Sequence, residues 1–232
     1  TGWQPFMAGD VFWQLRSTQA VLYCGPLCAS LDALSPEQGL SDACYANVSL
    51  VGAQFLGVGL RINGPEVVSD FYQRGGDLIV RYGQTQERPF GVLIYWRAAL
   101  VDLCGLVCPR VDLVVSVETN LLDSRPMVTA QTRLGPAGNE AIFSAPGYLL
   151  ARLATAAVTY AEMCHPDDAI APITDSTGDK VSCRTPLFGQ PLEKGVILRS
   201  RLRGLFLPTR DSQPQAQAAL ADFAAEPPPL TT

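Results

Sequence analysis

One segment near the carboxyl end, Gly195–Pro208 (GVILRSRLRGLFLP), constrains the fold more than any other part of the chain. At a period of two residues, one face carries the apolar side chains Val196, Leu198, Leu202 and Phe206. The other face carries the arginines Arg199, Arg201 and Arg203. Successive residues on one face of a strand lie about 7 Å apart, so the three guanidinium groups would stand in a row. A helix would scatter them, so the pattern predicts a strand with one packed face and one polar face.

Turn-forming residues divide the remaining sequence into many short strand-like segments. The chain has 232 residues, among them 20 Gly and 18 Pro, and this content suits short strands better than long helices. The clearest predicted strands are Leu78–Tyr82, Gly91–Arg97, Val111–Leu121, Met127–Leu134 and Val196–Leu207. Weaker patterns predict strands at Asp10–Arg16, Ala20–Cys24 and Leu50–Ile62. We expect a mainly β protein, a large antiparallel β sandwich with a short C-terminal helix.

Two segments bear on how this sandwich is organised. Residues 147–164 fit a helical stripe, but their β-branched and aromatic residues favour two strands joined near Ala154–Ala157. The segment Ser212–Ala225 predicts a helix, with Asp211 or Ser212 as its cap and Pro214 in its first turn. The sequence therefore predicts a single sandwich domain over 1–210 and a helical, proline-rich tail over 211–232.

Residues 111–134 are the best hairpin candidate in the sequence. With a bend at Asp123–Ser124, Glu118 would lie opposite Thr129, and Ser116 opposite Gln131. These side chains would form a polar sheet face with mixed hydrogen-bond donors and acceptors.

Charge and hydropathy restrict the classes of partner. Hydrophobic residues make up 47% of the chain, which excludes an intrinsically disordered protein. A formal charge of −5, from 22 acidic and 17 basic residues, disfavours nucleic acid as a partner. No apolar run reaches the roughly 18 residues of a membrane span, and the amino terminus lacks a signal-peptide pattern. We expect a soluble protein that binds no membrane; the sequence favours the cytoplasm without determining the compartment.

The seven cysteines include two spaced pairs, CGPLC at 24–28 and CGLVC at 104–108. Four thiolates from two such turns could hold zinc, and disulfides are a second alternative. Because free cysteine is among the most buried residue types, reduced core cysteines are the favoured interpretation. No dinucleotide or phosphate-loop fingerprint is present either. We expect neither a bound metal nor a cofactor.

Two classes of function remain open. The favoured one is a non-catalytic binding or interaction domain for a carbohydrate or an anionic small molecule. Its polar sheet face would use five side chains: Arg199, Arg201, Arg203, Glu118 and Gln131. An aromatic platform would come from Tyr82, Tyr95 and Trp96. In the alternative interpretation of the arginine row, which the sequence favours, the arginines pair across strands with acids such as Asp112, Glu118 or Glu193 and form an ion-paired sheet face.

The alternative is a carbohydrate-active enzyme of the mutarotase or epimerase type. His165 is the sole histidine, in the sequence MCHPDD, and could exchange protons together with Asp168 or Glu193. This function requires the imidazole and a carboxylate to converge in a pocket, whereas a binding module needs only the polar face.

Overall fold

The computed structural model describes residues 11–60, 66–103, 105–135, 139–145, 147–168, 170–177 and 180–227. Strands contain 59% of these described residues and form three antiparallel sheets. The first sheet has five strands in chain order: β1 (Val11–Arg16), β2 (Gln19–Cys24), β3 (Leu27–Asp32), β4 (Ser41–Tyr45) and β5 (Val48–Ser49). The second has four: β6 (Gln54–Gly59), β11 (Thr129–Leu134), β15 (Ile173–Thr177) and β16 (Lys180–Pro186).

The third and largest sheet has eight strands. Four come from the first half of the chain: β7 (Val68–Arg74), β8 (Asp77–Tyr82), β9 (Gly91–Leu103) and β10 (Leu106–Glu118). Four come from the second half: β12 (Asn139–Ala145), β13 (Tyr148–Leu153), β14 (Val158–Cys164) and β17 (Ile197–Pro208). Their spatial order is β12-β13-β14-β17-β10-β9-β8-β7, so the arginine strand β17 lies between β14 and β10.

The predicted mainly β architecture with a C-terminal helix is confirmed. The predicted split of residues 147–164 into two strands is also confirmed, with a single 3₁₀ turn at Ala154–Ala156 between β13 and β14. The helix α1 spans Ser212–Ala225, but Asp211 has a φ of 59° and makes no side-chain cap. Within the described ranges, no helix has the length and apolarity needed to span a bilayer. Asp10, Arg61 and Ile62, at the ends of two predicted strands, lie outside the described residues.

The predicted hairpin over 111–134 is wrong. Strand β10 pairs with β9 and β17 in the eight-stranded sheet, whereas β11 pairs with β16 and β6 in another sheet. The hairpin that does form joins β9 to β10, and Leu106 lies opposite Leu103 across a tight turn at Gly105, where φ is +83°. Glu118 therefore lies opposite Gly91 and Ile197 rather than Thr129, and Ser116 lies opposite Leu93 and Arg199 rather than Gln131.

The core lies between the inner face of the eight-stranded sheet and the two smaller sheets. Phe55 of β6 packs on Tyr160 of β14 and Phe206 of β17, with ring centroids 4.5 and 5.2 Å apart. Hydrogen bonds also join the layers: the Trp13 indole donates to the Gly76 carbonyl at 3.0 Å, and the Tyr82 hydroxyl to the Ala33 carbonyl at 2.8 Å. These contacts bury most of the apolar side chains that the strand patterns place inward.

One polar network crosses this core. Glu162 of β14 is 5% exposed, and its Oε2 accepts hydrogen bonds from the hydroxyls of Thr132 in β11 and Tyr160. The Thr132 oxygen in turn accepts the backbone N–H of Leu56, whose carbonyl accepts the Trp96 indole N–H at 3.0 Å. Burial raises the pKa of Glu162, although the hydrogen bonds from Thr132 and Tyr160 oppose the shift. The network therefore joins two sheets through a carboxyl group that gains a proton more readily than usual.

Candidate functional site

The predicted arginine row forms on the outer face of the eight-stranded sheet. Leu202 and Phe206 point inward and are 1% and 0% exposed, and Leu198 is half-buried. The opposite face of β17 brings Arg203 against Asp112 and Arg199 against Ser116. The strand begins at Ile197, one residue later than predicted, and Val196 is 40% exposed rather than packed.

Most of this row is not open to solvent. Arg201 and Arg203 are only 6% and 2% exposed, because α1 packs over this part of the sheet. Leu205, Leu207 and Phe223 belong to one apolar cluster between the sheet and the helix. The expectation of an open anion-binding row therefore fails at Arg201 and Arg203, since the chain's own helix occupies that space.

Arg203 is the centre of an internal ion-pair cluster. Its Nε and Nη2 donate to the two carboxylate oxygens of Asp112 at 2.7 and 3.0 Å. Its Nη2 also lies 2.8 Å from both carboxylate oxygens of Glu226, just beyond α1, and its guanidinium lies 4.2 Å from the Phe223 ring centroid. Burial alone would lower the pKa of Arg203, but Asp112 and Glu226 raise it above its ordinary value. This arginine holds the C-terminal end of the helix on the sheet.

Arg201 brings two of the candidate catalytic residues together. Its Nε donates to Asp168 Oδ2 at 2.7 Å, and its Nη2 lies 3.0 Å from His165 Nδ1. Nδ1 also accepts the backbone N–H of Asp167 at 3.2 Å. The His165 ring is 1% exposed and meets Phe223 edge-on at 5.1 Å. His165 and Asp168 do lie close together, but in a buried cluster under α1.

The other predicted site residues are dispersed. Glu193 is exposed in the turn before β17, and among the described residues no contact joins it to His165. Gln131 belongs to the four-stranded sheet, where its side-chain amide donates to the Glu37 carbonyl at 2.6 Å. It is therefore absent from the arginine face, because the segment between β10 and β11 crosses from one sheet to another.

Glu118 marks the open end of the same outer face. Its carboxylate lies 3.0 Å from Arg81 Nη1, and Arg81 Nε lies 3.3 Å from Asp70. Two adjoining hollows share Arg81, Glu118 and Ile197 in their walls, with volumes of about 320 and 150 Å³. We call the two hollows together the sheet-end groove. It lies beyond the part of the face that α1 covers.

The larger hollow has walls of polar side chains and turn backbone. Gln84 donates its amide to Asn120 Oδ1 at 2.6 Å, and the backbone N–H of Asn120 returns a bond to Gln84 at 3.1 Å. Gly83, Thr119 and Gly195 also line this hollow. Each of the two amides has more donor and acceptor positions than these two bonds use.

The smaller hollow contains the aromatic side chains of the site. Tyr72 on β7 is 45% exposed, and Tyr95 on β9 is 2% exposed below it. Of the predicted aromatic platform only Tyr95 faces this side of the sheet. Tyr82 and Trp96 point into the core, where Ala33 and Leu56 accept their hydrogen bonds. The period-two pattern of β8 places Arg81 on the opposite face of the strand from Leu78 and Val80. No local signal indicates that Arg81 pairs with Glu118.

The cysteines form no metal centre within the described part of the chain, where no group of three or more potential ligands occurs. Six described cysteines are free thiols; Cys104, of the CGLVC motif, lies outside the described residues. Burial raises the pKa of Cys24 and Cys183 to about 11, and that of Cys164 to about 12. These three are therefore weak nucleophiles at neutral pH.

Comparison with known proteins identifies no relative by sequence. No family model and no curated protein matches the chain. It is similar to one solved structure described as "Putative kojibiose phosphorylase from human microbiome", with 10% identity and a TM-score of 0.43. That match covers 65% of this chain and 21% of the other, so the chain spans about a fifth of that protein's length. A likeness at this level is too weak to assign a fold family or an activity.

Proposed function

We propose that the protein is a non-catalytic ligand-binding domain and that the sheet-end groove takes a neutral, polyhydroxylated ligand of the carbohydrate class. The observation that carries this proposal is the composition of the groove. An exposed tyrosine, Tyr72, adjoins a balanced ion pair, Arg81 and Glu118, and an amide pair, Gln84 and Asn120. The larger hollow, at about 320 Å³, falls within the range of small-molecule sites.

Charge balance favours a neutral ligand over an anion. The charged side chains that line the groove are Arg81 and Glu118, which pair at 3.0 Å. Asp70 also lies 3.3 Å from Arg81, so the positive charge of Arg81 is fully compensated. In contrast, the buried arginines Arg201 and Arg203 are already matched by Asp168, Asp112 and Glu226. An added anion would find no uncompensated positive charge among these groups.

The hydrogen-bonding groups suit a sugar. A guanidinium donates through adjacent N–H groups, and a carboxylate accepts through two oxygens, so each can bind neighbouring hydroxyls. Tyr72 offers a flat apolar face for the C–H side of a sugar ring, with its hydroxyl left in water. The catalytic alternative needs substrate access to His165, whose ring is 1% exposed under Phe223.

The first prediction tests the groove directly. We expect Glu118→Gln to weaken binding of a neutral sugar at least about tenfold, because a hydrogen bond to a charged group contributes roughly 1.5–3 kcal/mol. Calorimetric and NMR titrations would use glucose, galactose, mannose and their disaccharides, with glucuronate and inorganic phosphate as anionic probes. The variant should unfold at nearly the wild-type urea concentration, since the Arg81–Glu118 pair is exposed and such pairs stabilise by about 0–1 kcal/mol.

Asp222→Asn provides the matched control, because it also removes one carboxylate charge but from the exposed side of α1. It should leave sugar binding unchanged, whereas Tyr72→Ala should weaken it. Binding of glucuronate or phosphate in preference to every neutral sugar would contradict the proposal. Equal affinities for Glu118→Gln and Asp222→Asn would contradict it too.

A further inference from the structure

Two cysteines face each other across adjacent strands of the five-stranded sheet. Cys28 of β3 and Cys44 of β4 are direct partners in the antiparallel register, and both side chains are half-buried. The Ala46 N–H donates to the Pro26 carbonyl at 2.8 Å, two residues along the same pairing. The alternation of the ladder therefore makes Cys28 and Cys44 a hydrogen-bonded pair, and the Cα atoms of such a pair are about 5.5 Å apart in a regular antiparallel ladder. The register shifts only beyond the pair, between Cys28 and Ser30. This separation falls within the range that a disulfide spans.

We propose that Cys28 and Cys44 form a reversible disulfide site, which a small disulfide such as oxidised glutathione can close. One thiolate attacks a sulfur of oxidised glutathione, which gives a mixed disulfide and releases one glutathione. The second thiolate then attacks the protein-bound sulfur and displaces the other glutathione. The protein loses two electrons and two protons, and the two glutathione thiols carry them away.

The register distinguishes this pair from the other described cysteines. Cys108 lies opposite Val101, Cys164 opposite Leu202, and Cys183 opposite Thr132 and Thr174. Cys24 lies opposite Val11 and Leu27, is fully buried, and donates its thiol to the Ala99 carbonyl at 3.4 Å. Among the described residues, Cys28 and Cys44 are thus the cysteines that a paired strand brings face to face.

The environment of the pair sets the conditions for the reaction. Burial raises the pKa of Cys28, and the neighbouring Cys44 adds to the shift. The thiolate fraction of Cys28 is therefore small at neutral pH and grows as the pH rises towards that pKa. Formation of the disulfide should therefore be slow at pH 7 and faster at pH 8.5. The disulfide would link β3 to β4 covalently and enclose the segment between them in a loop.

The second prediction follows from this chemistry. After incubation with oxidised glutathione at pH 8.5, we expect two fewer free thiols and a mass lower by two hydrogens. Digestion at arginine and then at Glu37 separates residues 17–37 from 38–61, so the disulfide should link these two peptides. The closed form should melt roughly 5 °C higher, because a cross-link over a loop of this length restricts the unfolded chain. Dithiothreitol should reverse the shift.

Variants made in a Cys104→Ser background identify the pair, since that background removes the cysteine outside the described residues. Cys28→Ser and Cys44→Ser should each abolish the linked peptides, whereas Cys24→Ser and Cys164→Ser should leave them. Persistence of the link in Cys28→Ser would assign it to Cys24 and overturn the proposal. Two free thiols at Cys28 and Cys44 after the oxidation would overturn it as well. These results are independent of sugar binding, because the pair and the sheet-end groove lie on different sheets.

Discussion

Arg203→Ala is expected to destabilise the fold by roughly 3 kcal/mol, the lower end of the range for breaking a buried ion pair. The 9%-exposed carboxylate of Asp112 would lose its bidentate partner and keep only Arg110, whose Nε lies 3.3 Å away. The substitution would also remove the guanidinium that holds Glu226 and packs on Phe223 at the end of α1. Urea unfolding followed by tryptophan fluorescence would measure the change, with Trp13 and Trp96 buried in two different sheets.

Two further variants separate this explanation from a general effect of losing an arginine. Arg199→Ala removes another arginine from the same face of β17 as Arg203. The Arg199 side chain is half-buried, and its Nε donates a hydrogen bond to the Ser116 hydroxyl. This substitution should cost less than Arg203→Ala, because the Arg199 side chain is less buried than that of Arg203. Replacing both partners, Arg203→Met with Asp112→Leu, should recover part of the loss, since it removes both charges of the closest ion pair. The recovery should be incomplete, because Arg110, whose Nε lies 3.3 Å from Asp112, also loses that carboxylate. Similar small effects of Arg203→Ala and Arg199→Ala would show that the cluster does not stabilise the helix.

The arginine face illustrates which part of the fold the sequence predicts. The alternation of Arg199, Arg201 and Arg203 with apolar residues is local, so strand type and side-chain orientation follow from it directly. The contact between that face and the helix α1, which covers it, is not local in sequence. The sequence of Ser212–Ala225 predicts a helix correctly, yet nothing in it specifies that Phe223 lies on Arg203, which is twenty residues earlier in the chain.

The wrong hairpin has a related cause. Strands β10 and β11 follow one another in the sequence, and adjacent segments commonly pair. The turn at Gly105 that actually closes the β9–β10 hairpin lies inside CGLVC, whose cysteines suggested a zinc site or a disulfide as alternatives. Sheet membership depends on contacts across the whole chain, and period-two patterning carries no information about it.

The sheet-end groove was predictable only in part for the same reason. Glu118 and Tyr95 were both identified from the sequence, as members of a polar face and of an aromatic platform. Arg81 and Tyr72 complete that end of the face through the β7–β8–β9–β10 order, which joins residues up to 46 positions apart. The single-strand patterns of β7 and β8 do not indicate these neighbours.

Glu162→Gln is expected to flatten the dependence of stability on pH. The folded state raises the pKa of Glu162 above its ordinary value near 4.5, so the folded protein binds a proton that the unfolded chain releases. The contribution of Glu162 to the free energy of unfolding is therefore greatest below about pH 4.5, and it is lost as the pH rises through the raised pKa. Between about pH 4.5 and the raised pKa, the free energy of unfolding of the wild type should fall by up to about 1.4 kcal/mol per pH unit relative to that of Glu162→Gln.

Urea unfolding of both proteins at pH 5, 7 and 9 measures the effect as a difference. The other titrating groups are common to the two chains, but burial and the Glu162 carboxylate raise the pKa values of Tyr160, Cys164 and Cys183. These three groups stay protonated in the folded state at pH 5 and 7, so the difference between those two pH values reports on Glu162. The isosteric amide can still accept hydrogen bonds from Thr132 and Tyr160, which keeps the link between β11 and β14. Glu118→Gln serves as the control, because it makes the same substitution at a carboxylate that lies at the surface rather than in the core. Parallel pH profiles for wild type and Glu162→Gln would mean that this buried carboxyl group holds no extra proton in the folded state.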